Sequence, residues 1–334
     1  MSRIFGIIAT DPSVSQNSIQ ELLTELVEVA DKNSQTNKST STLPTEKVHG
    51  ALLTMGYLIS RSNYRARSLS DDVIRQCIQC LATYLEGAPG TIFNMLAAAA
   101  CHSLAEIGRT QVLGSLTEKR KSNDDDSKEK DKEMESTKMD VDDETASPVV
   151  LSSLDLAENL ARLAKTCKEP KVQEQAILAL GQLSIPLTGE STVMNLVAES
   201  LFASADTKQV ELFFAGGEAW SIVAFGWGSQ AMQKHNDIDD MALLRNVDQS
   251  VDAKKRSELF QTTIEKIARV YVVSDRAWYR KASCIWFLSI LKFGKDQPLI
   301  QVITTIGYRS FFLFRDLVGE ILYIKKLTKI PKKT

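Results

Sequence analysis

Cys77 and Cys80 stand three apart in "DDVIRQCIQCLATYL", the spacing of a redox dithiol or of half a zinc site, and Cys101-His102 follows about 20 residues later. Zinc would need four such donors to converge, and a thioredoxin-like pair would need a strand running into a helix. The segment has no second CxxC and no strand-to-helix context. Both cysteines fall on the apolar stripe of a helical pattern, so packing as small hydrophobes is the favoured reading, and a zinc or thiol enzyme using Cys77 and Cys80 the remote one. The three histidines, His49, His102 and His235, are far apart, with no HExxH motif or grouping of nucleophile, histidine and acid around them. "FFAGGEAWSIVAFGWGSQA" has four glycines but neither GxxxxGKS/T nor a strand-borne GxGxxG, so its glycines read as residues that admit close helix packing. Glu218, an acid in this apolar company, reads as a hydrogen-bonded structural acid or an interface residue. The sequence therefore predicts no catalytic residue, no cofactor and no metal site.

The elements that carry these residues are helices. Ile19, Leu22, Leu23, Leu26, Val27 and Ala30 recur at the offsets of one helical face, opposite Gln20, Glu21, Glu25 and Glu28. Val48, Ala51, Leu52, Met55, Leu58 and Ile59 repeat the spacing and complete a first pair. Val73, Cys77, Leu81 and Leu85 pair with Phe93, Leu96, Ala100, Leu104 and Ile107. Leu154, Leu160, Leu163 and Cys167 pair with Val172, Ala176, Leu180 and Leu183. The fourth pair joins Val193, Leu196 and Val197 to Val210, Phe213 and Phe214; the fifth joins Leu259, Ile264, Ile267 and Ala268 to Ala282, Ile285, Trp286 and Ile290. No run of strand-like alternation bounded by turn residues is found.

The second helices of these pairs resemble one another. In "KEPKVQEQAILALGQL", Pro170 suits a first helical position, Val172 opens the apolar face, and Ala176, Ala179 and Gly181 allow close approach. In "SDRAWYRKASCIWFLSIL", Asp275 reads as an N-cap or first-turn acid, Arg280 follows five residues later, and small Ala282 and Ser283 precede Trp286. Aligning Val48, Phe93, Val172, Val210 and Tyr279 gives gaps of about 45, 79, 38 and 69 residues, against roughly 40–47 for a HEAT unit. The two long gaps each contain a polar insertion, one at 118–147 and one near 233–255.

The expected architecture is thus an all-α solenoid of HEAT- or armadillo-like helix pairs. Two pairs fill 1–112, with a polar loop near 32–45, and three fill 148–300. The stretch "EKRKSNDDDSKEKDKEMESTKMDVDDETAS" has almost nothing to bury and reads as a disordered charged loop. Beyond Gln301 the pattern stops, and 301–334 reads as an atypical tail.

Charge and composition exclude several partners. With 40 basic and 42 acidic residues the net charge is −2, which offers no field for nucleic acid or an anionic membrane. The most apolar C-terminal stretch, Ile303 to Tyr323, carries Arg309, Arg315, Asp316 and Glu320, so membrane insertion is not expected. No secretory signal follows the short apolar run Ile4 to Ala9. Five cysteines inside apolar segments fit reduced thiols and a cytoplasmic and nuclear location. An isolated block of repeats is expected to expose an apolar end and to self-associate.

"VELFFAGGEAWSIVAFGWGSQA", "RKASCIWFLSILKFG", "EKVHGALLTMGYLISR" and "FNMLAAAACHSLAEIGR" resemble corresponding stretches of the large HEAT-repeat adaptor and scaffold family that associates with the 26S proteasome. The resemblance runs from about Ile19 to Gly294, is most specific in "GEAWS" and "ASCIWFLSIL", and covers an internal block of a much longer solenoid. It implies a non-enzymatic adaptor that binds proteasome core and regulatory particle subunits, bridges the two particles, and contributes to assembly and quality control. Transport receptors and phosphatase scaffolds are built from similar repeats and form the alternative reading.

Overall fold

The computed structural model describes residues 2–35, 44–64, 68–86, 90–110, 152–234 and 249–294. The charged loop 118–147, most of the polar loop near 32–45, the 235–248 part of the second insertion and the tail 301–334 lie outside the described residues. Among the described residues all regular structure is helical. Twelve α-helices follow in order: α1 (Ser2–Thr10), α2 (Gln16–Gln35), α3 (Thr45–Tyr64), α4 (Asp71–Thr83), α5 (Thr91–Gly108), α6 (Ser153–Thr166), α7 (Pro170–Leu183), α8 (Ser191–Ala203), α9 (Val210–Phe225), α10 (Gln230–Lys234), α11 (Gln249–Lys266) and α12 (Ala277–Phe293).

Local chemistry sets several helix starts. α6 opens with a capping box: the Ser152 hydroxyl accepts from the Asp155 N–H, and the Asp155 carboxylate accepts from the Ser152 N–H. α7 begins with Pro170, whose missing N–H costs nothing there. Asp71 and Asp72 place negative charge at the positive end of α4. α12 begins one residue later than the sequence suggests. Arg276 is its N-cap, and exposed Asp275 does not cap it with its side chain; instead the Ser274 and Asp275 carbonyls accept from Arg280 Nη1 at 2.7 and 3.1 Å. α11 begins at Gln249, inside the stretch read as polar insertion, and widens into a π-turn over Ile267–Tyr271.

The helices form two layers. α1, α3, α5, α7, α9 and α12 make one, each packed on the next in that order, and α2, α4, α6, α8 and α11 pack against it as the second. This is a solenoid-like all-α repeat arrangement, in which an amphipathic helix buries its stripe on its own pair and on the neighbouring pairs. One continuous core runs from Ala9 to Ile290. α9, flanked on both sides, is buried along nearly its whole length, whereas α6 keeps a narrow stripe of Leu156, Leu160 and Leu163.

Within the first layer the helices touch through backbone. A Cβ built on Gly56 of α3 would lie 2.6 Å from Ser103 Cα of α5; on Gly181 of α7, 2.8 Å from Ala219 Cα of α9; on Gly217 of α9, 2.7 Å from Ser289 Cβ of α12. Contacts this tight leave no room for a methyl group. The Ser103 hydroxyl uses the proximity to donate to the Leu52 carbonyl at 2.7 Å.

Two buried arginines tie pairs that are not adjacent. Arg256 of α11 sends Nη1 to the Val223 carbonyl at 2.9 Å and Nη2 to the Ser184 carbonyl at 2.9 Å and the Thr188 hydroxyl at 2.6 Å, so it closes the carboxyl ends of both α7 and α9. A cation at two negative helix ends is favourable, and its five donors match several carbonyls at once. The guanidinium lies against Gly226, whose φ of 52° and 2.8 Å clearance exclude a side chain. Arg109, at the end of α5, pairs with Glu106 at 2.9 Å and donates to the Met232 carbonyl of α10 at 3.0 Å.

Candidate functional site

The residue types that could do chemistry are packed away. Cys77, Cys80 and Cys101 are free and buried. Burial pushes the Cys77 thiol up to about 12 and raises Cys80 and Cys101 as well, so at neutral pH they are protonated hydrophobes and poor nucleophiles or ligands. Among the described residues no three His, Cys, Asp or Glu side chains gather as a metal site. His235 lies outside the described residues. Gly216 and Gly217 sit inside α9, against Trp286 and Ser289, which is packing and not phosphate binding.

Of the other singled-out positions, Val172, Ala176, Gly181 and Trp286 are buried. Val172, Ala176 and Gly181 line the buried side of α7, with Gly181 on Ala219, and Val210 packs on the core from the start of α9. Glu218 is half-buried on α9. Trp286 is fully buried and meets Trp220, Phe202 and Tyr271 edge-on, with centroids 6.5, 5.9 and 5.3 Å away.

The structure assembles something the sequence did not reveal: a polar chain across four successive helices of the first layer. Arg3 Nε donates to the Tyr57 hydroxyl at 3.3 Å, that hydroxyl meets His102 Nε2 at 2.9 Å, and His102 Nδ1 meets Gln175 Oε1 at 3.2 Å. Donor and acceptor roles agree along the chain when His102 is neutral with its proton on Nδ1, accepting from tyrosine and donating to the amide. Both ring nitrogens are then occupied, so the histidine is a fixed wall and not a free base.

One turn further along these helices lie Arg61, Glu106 and Arg109, all buried. Burial works to raise the Glu106 pKa, but Arg109, His102 when charged, and Arg61 together hold the carboxyl below its ordinary value. At the opposite end of the layer, the Tyr279 hydroxyl donates to Asp206 Oδ1 at 2.5 Å and accepts from Arg276 at 3.0 Å, while Lys208 lies 4.4 Å from the Trp278 ring centre. The hydrogen bond to Asp206 raises the Tyr279 pKa first, burial second. Burial, then Tyr279 and Asp206, lifts Tyr271 to about 12.

Beside His102 the layer is hollowed into a groove of about 610 Å³, with His49 and Leu53 from α3, Asn94, Met95 and Ala98 from α5, and Gln175 from α7 among its walls. Its size is that of a small-ligand or peptide site of about 300–1,000 Å³. Among the described residues its lining combines the amides of Asn94 and Gln175, the imidazoles of His49 and His102, the charged Glu169 and Lys171, and apolar side chains.

No family model matches this chain. It is 24% identical over 297 residues to the Proteasome adapter and scaffold protein ECM29 of Homo sapiens. The match covers 84% of this chain and 14% of that protein, so the chain spans about one seventh of its curated relative's length. That is a distant relationship to a protein named as an adapter and scaffold. An engineered protein of known structure aligns over 80% of this chain and 97% of its own, at 13% identity and a TM-score of 0.37. Among the described residues, no helix is long and apolar enough to cross a membrane.

Proposed function

We propose that this chain is a HEAT-type block of a non-enzymatic adaptor that binds the 26S proteasome, with cytoplasmic and nuclear residence. The observation that carries the reading is the distant relationship to a proteasome adapter and scaffold protein, which extends over 84% of the chain. The continuous first layer supports it physically: a stack whose pairs contact mainly their neighbours presents one long surface, and such a surface can engage two bodies at once. In this reading the partners are subunits of the proteasome core and regulatory particles, and the role is to bridge them and contribute to assembly and quality control.

The test is affinity purification of the protein from the cells that make it, with bound subunits identified by mass spectrometry. Enrichment of core and regulatory particle subunits together is the expected result. Their absence, with a Ran-type GTPase or a phosphatase catalytic subunit in their place, overturns the proposal in favour of a transport receptor or phosphatase scaffold.

A further inference from the structure

We propose that residues 311–324 fold as an amphipathic helix against the side of α12 that faces away from α9, and so cover that end of the helical stack. The inference does not rest on the adaptor reading.

The side of α12 turned from α9 is apolar. Ile285, Trp286 and Ser289 face α9, since Gly216 meets Trp286 and Gly217 meets Ile285 and Ser289. At roughly 100° per residue, the opposite side of α12 carries Cys284, Phe287 and Leu291, with Leu288 at its edge. α12 is the last helix of its layer among the described residues. Even so, Cys284 and Phe287 are only 3% and 4% exposed, and Leu291 is half-buried. Cys284 also lies outside the continuous core that takes in Cys77, Cys80 and Cys101. A thiol shielded at that distance from the core marks a covered surface, and the cover comes from the side away from α9.

The chain that follows has the right pattern to supply it. Gly294 caps α12 and Pro298 keeps it from resuming, so the backbone turns. Beyond the turn, Phe314, Leu317, Val318 and Ile321 recur at i, i+3, i+4 and i+7, while Asp316, Gly319, Glu320 and Tyr323 fall on the other side. The repeat spacing stops near Gln301, but the helical period does not. A helix with one apolar stripe must bury it against another element, and Cys284, Phe287 and Leu291 form a stripe of matching spacing.

Reach and affinity both favour this segment over a second molecule. The 16 residues 295–310 extend up to ~50 Å, twice the ~25 Å length of the 17-residue α12, so the segment can lie along α12 in either direction. A stripe of four side chains is well short of the ~800 Å² per partner that a stable dimer buries, whereas a tethered segment meets it at an effective concentration of the order of mM. The two ends of the stack then differ: α1 keeps Ile4, Ile7 and Ile8 exposed, and α12 withholds its stripe from any outside helix.

The test reads the Cys284 thiol in the full chain. N-ethylmaleimide is added for timed intervals, and the alkylated cysteines are located by mass spectrometry. Cys284 is expected to react at least ten-fold more slowly than half-buried Cys167. A Leu317→Asp, Ile321→Asp double variant should speed Cys284 at least ten-fold and leave Cys77 and Cys101 unchanged, which shows that the stack itself is intact. Asp316→Asn, on the other side of the segment, should alter the rate less than two-fold. If the double variant exposes every thiol, a benzophenone amino acid at position 314 of the otherwise wild-type chain takes its place, and irradiation should link it to α12 of the same molecule.

Fast alkylation of Cys284 in the wild-type chain overturns the inference. So does slow alkylation that the double variant leaves unchanged, or protection that grows with protein concentration and therefore comes from a second copy. A cross-link from position 314 that lands elsewhere than α12 overturns it as well.

Discussion

Glu106 shows how much a single buried group depends on its neighbours. One oxygen pairs with Arg109, and the other has no hydrogen-bond partner among the described residues. Because its folded-state pKa lies below the ordinary 4.5, the folded chain holds fewer protons than the unfolded one in that range. Its contribution is therefore complete above the unfolded value and is lost as the pH falls through the folded value. Urea midpoints should drop between pH 5 and pH 3, and Glu106→Gln should flatten that drop. At neutral pH the same substitution should cost about 3 kcal/mol, because it strands the Arg109 charge. A variant as stable as wild type at pH 7, with an unchanged acid limb, would show that the pair carries no weight.

Residues such as these explain what the sequence concealed. Tyr57, His102 and Gln175 meet across gaps of 45 and 73 positions, and each alone is an ordinary polar residue on a helix. Nothing short of the packing order of α3, α5 and α7 brings them together. Arg256 was hidden for another reason: it lies at the edge of a polar stretch, where a lysine- and arginine-rich helix start reads as solvated surface.

At the scale of the element, the helix faces were legible because burial imposes the 3.6-residue period directly. Val172, Ala176 and Leu180, or Leu160 and Leu163, announce a stripe that must be covered, although the buried leucine at the start of α6 is Leu156 where the spacing pointed to Leu154. α1 was not legible. In nine residues it turns its small residues Gly6 and Ala9 inward and its large apolar side chains outward, the reverse of the usual signal, and Gly6 against Tyr57 shows which side faces α3. The glycines make the element-scale argument testable. Gly56→Ala should destabilise the chain by about 1–3 kcal/mol, since α3 and α5 must separate to admit the methyl. Gly50→Ala, six residues earlier on the same helix with nothing within 4 Å of the new Cβ, should stabilise it by about 0.5–1 kcal/mol through helix propensity. Thermal melting of the two variants side by side checks both signs. Equal effects would mean that helix propensity, and not layer spacing, governs these positions.

At the scale of the molecule, α1 is the outermost helix of the first layer among the described residues, with Ile4, Phe5, Ile7 and Ile8 between 38% and 52% exposed, while Gly6 and Ala9 are buried. Four large aliphatic or aromatic side chains on one short helix are an apolar patch of the kind that seeks cover. Sedimentation velocity should show concentration-dependent association of the chain, reduced in an Ile4→Lys, Ile7→Lys double variant. A monomer at all concentrations would mean that this face is too small to hold a second molecule.

The two long-reaching arginines change what kind of stack this is. In an array whose units touch only their neighbours, one end can fray while the rest stays folded, because opening a unit breaks one junction. Here α11 cannot lift away without releasing the carboxyl ends of α7 and α9, and α10 cannot leave without uncovering Arg109 beneath it. Opening α11 therefore breaks contacts to two earlier helix ends together, which couples these elements beyond the nearest-neighbour junctions of a simple stack.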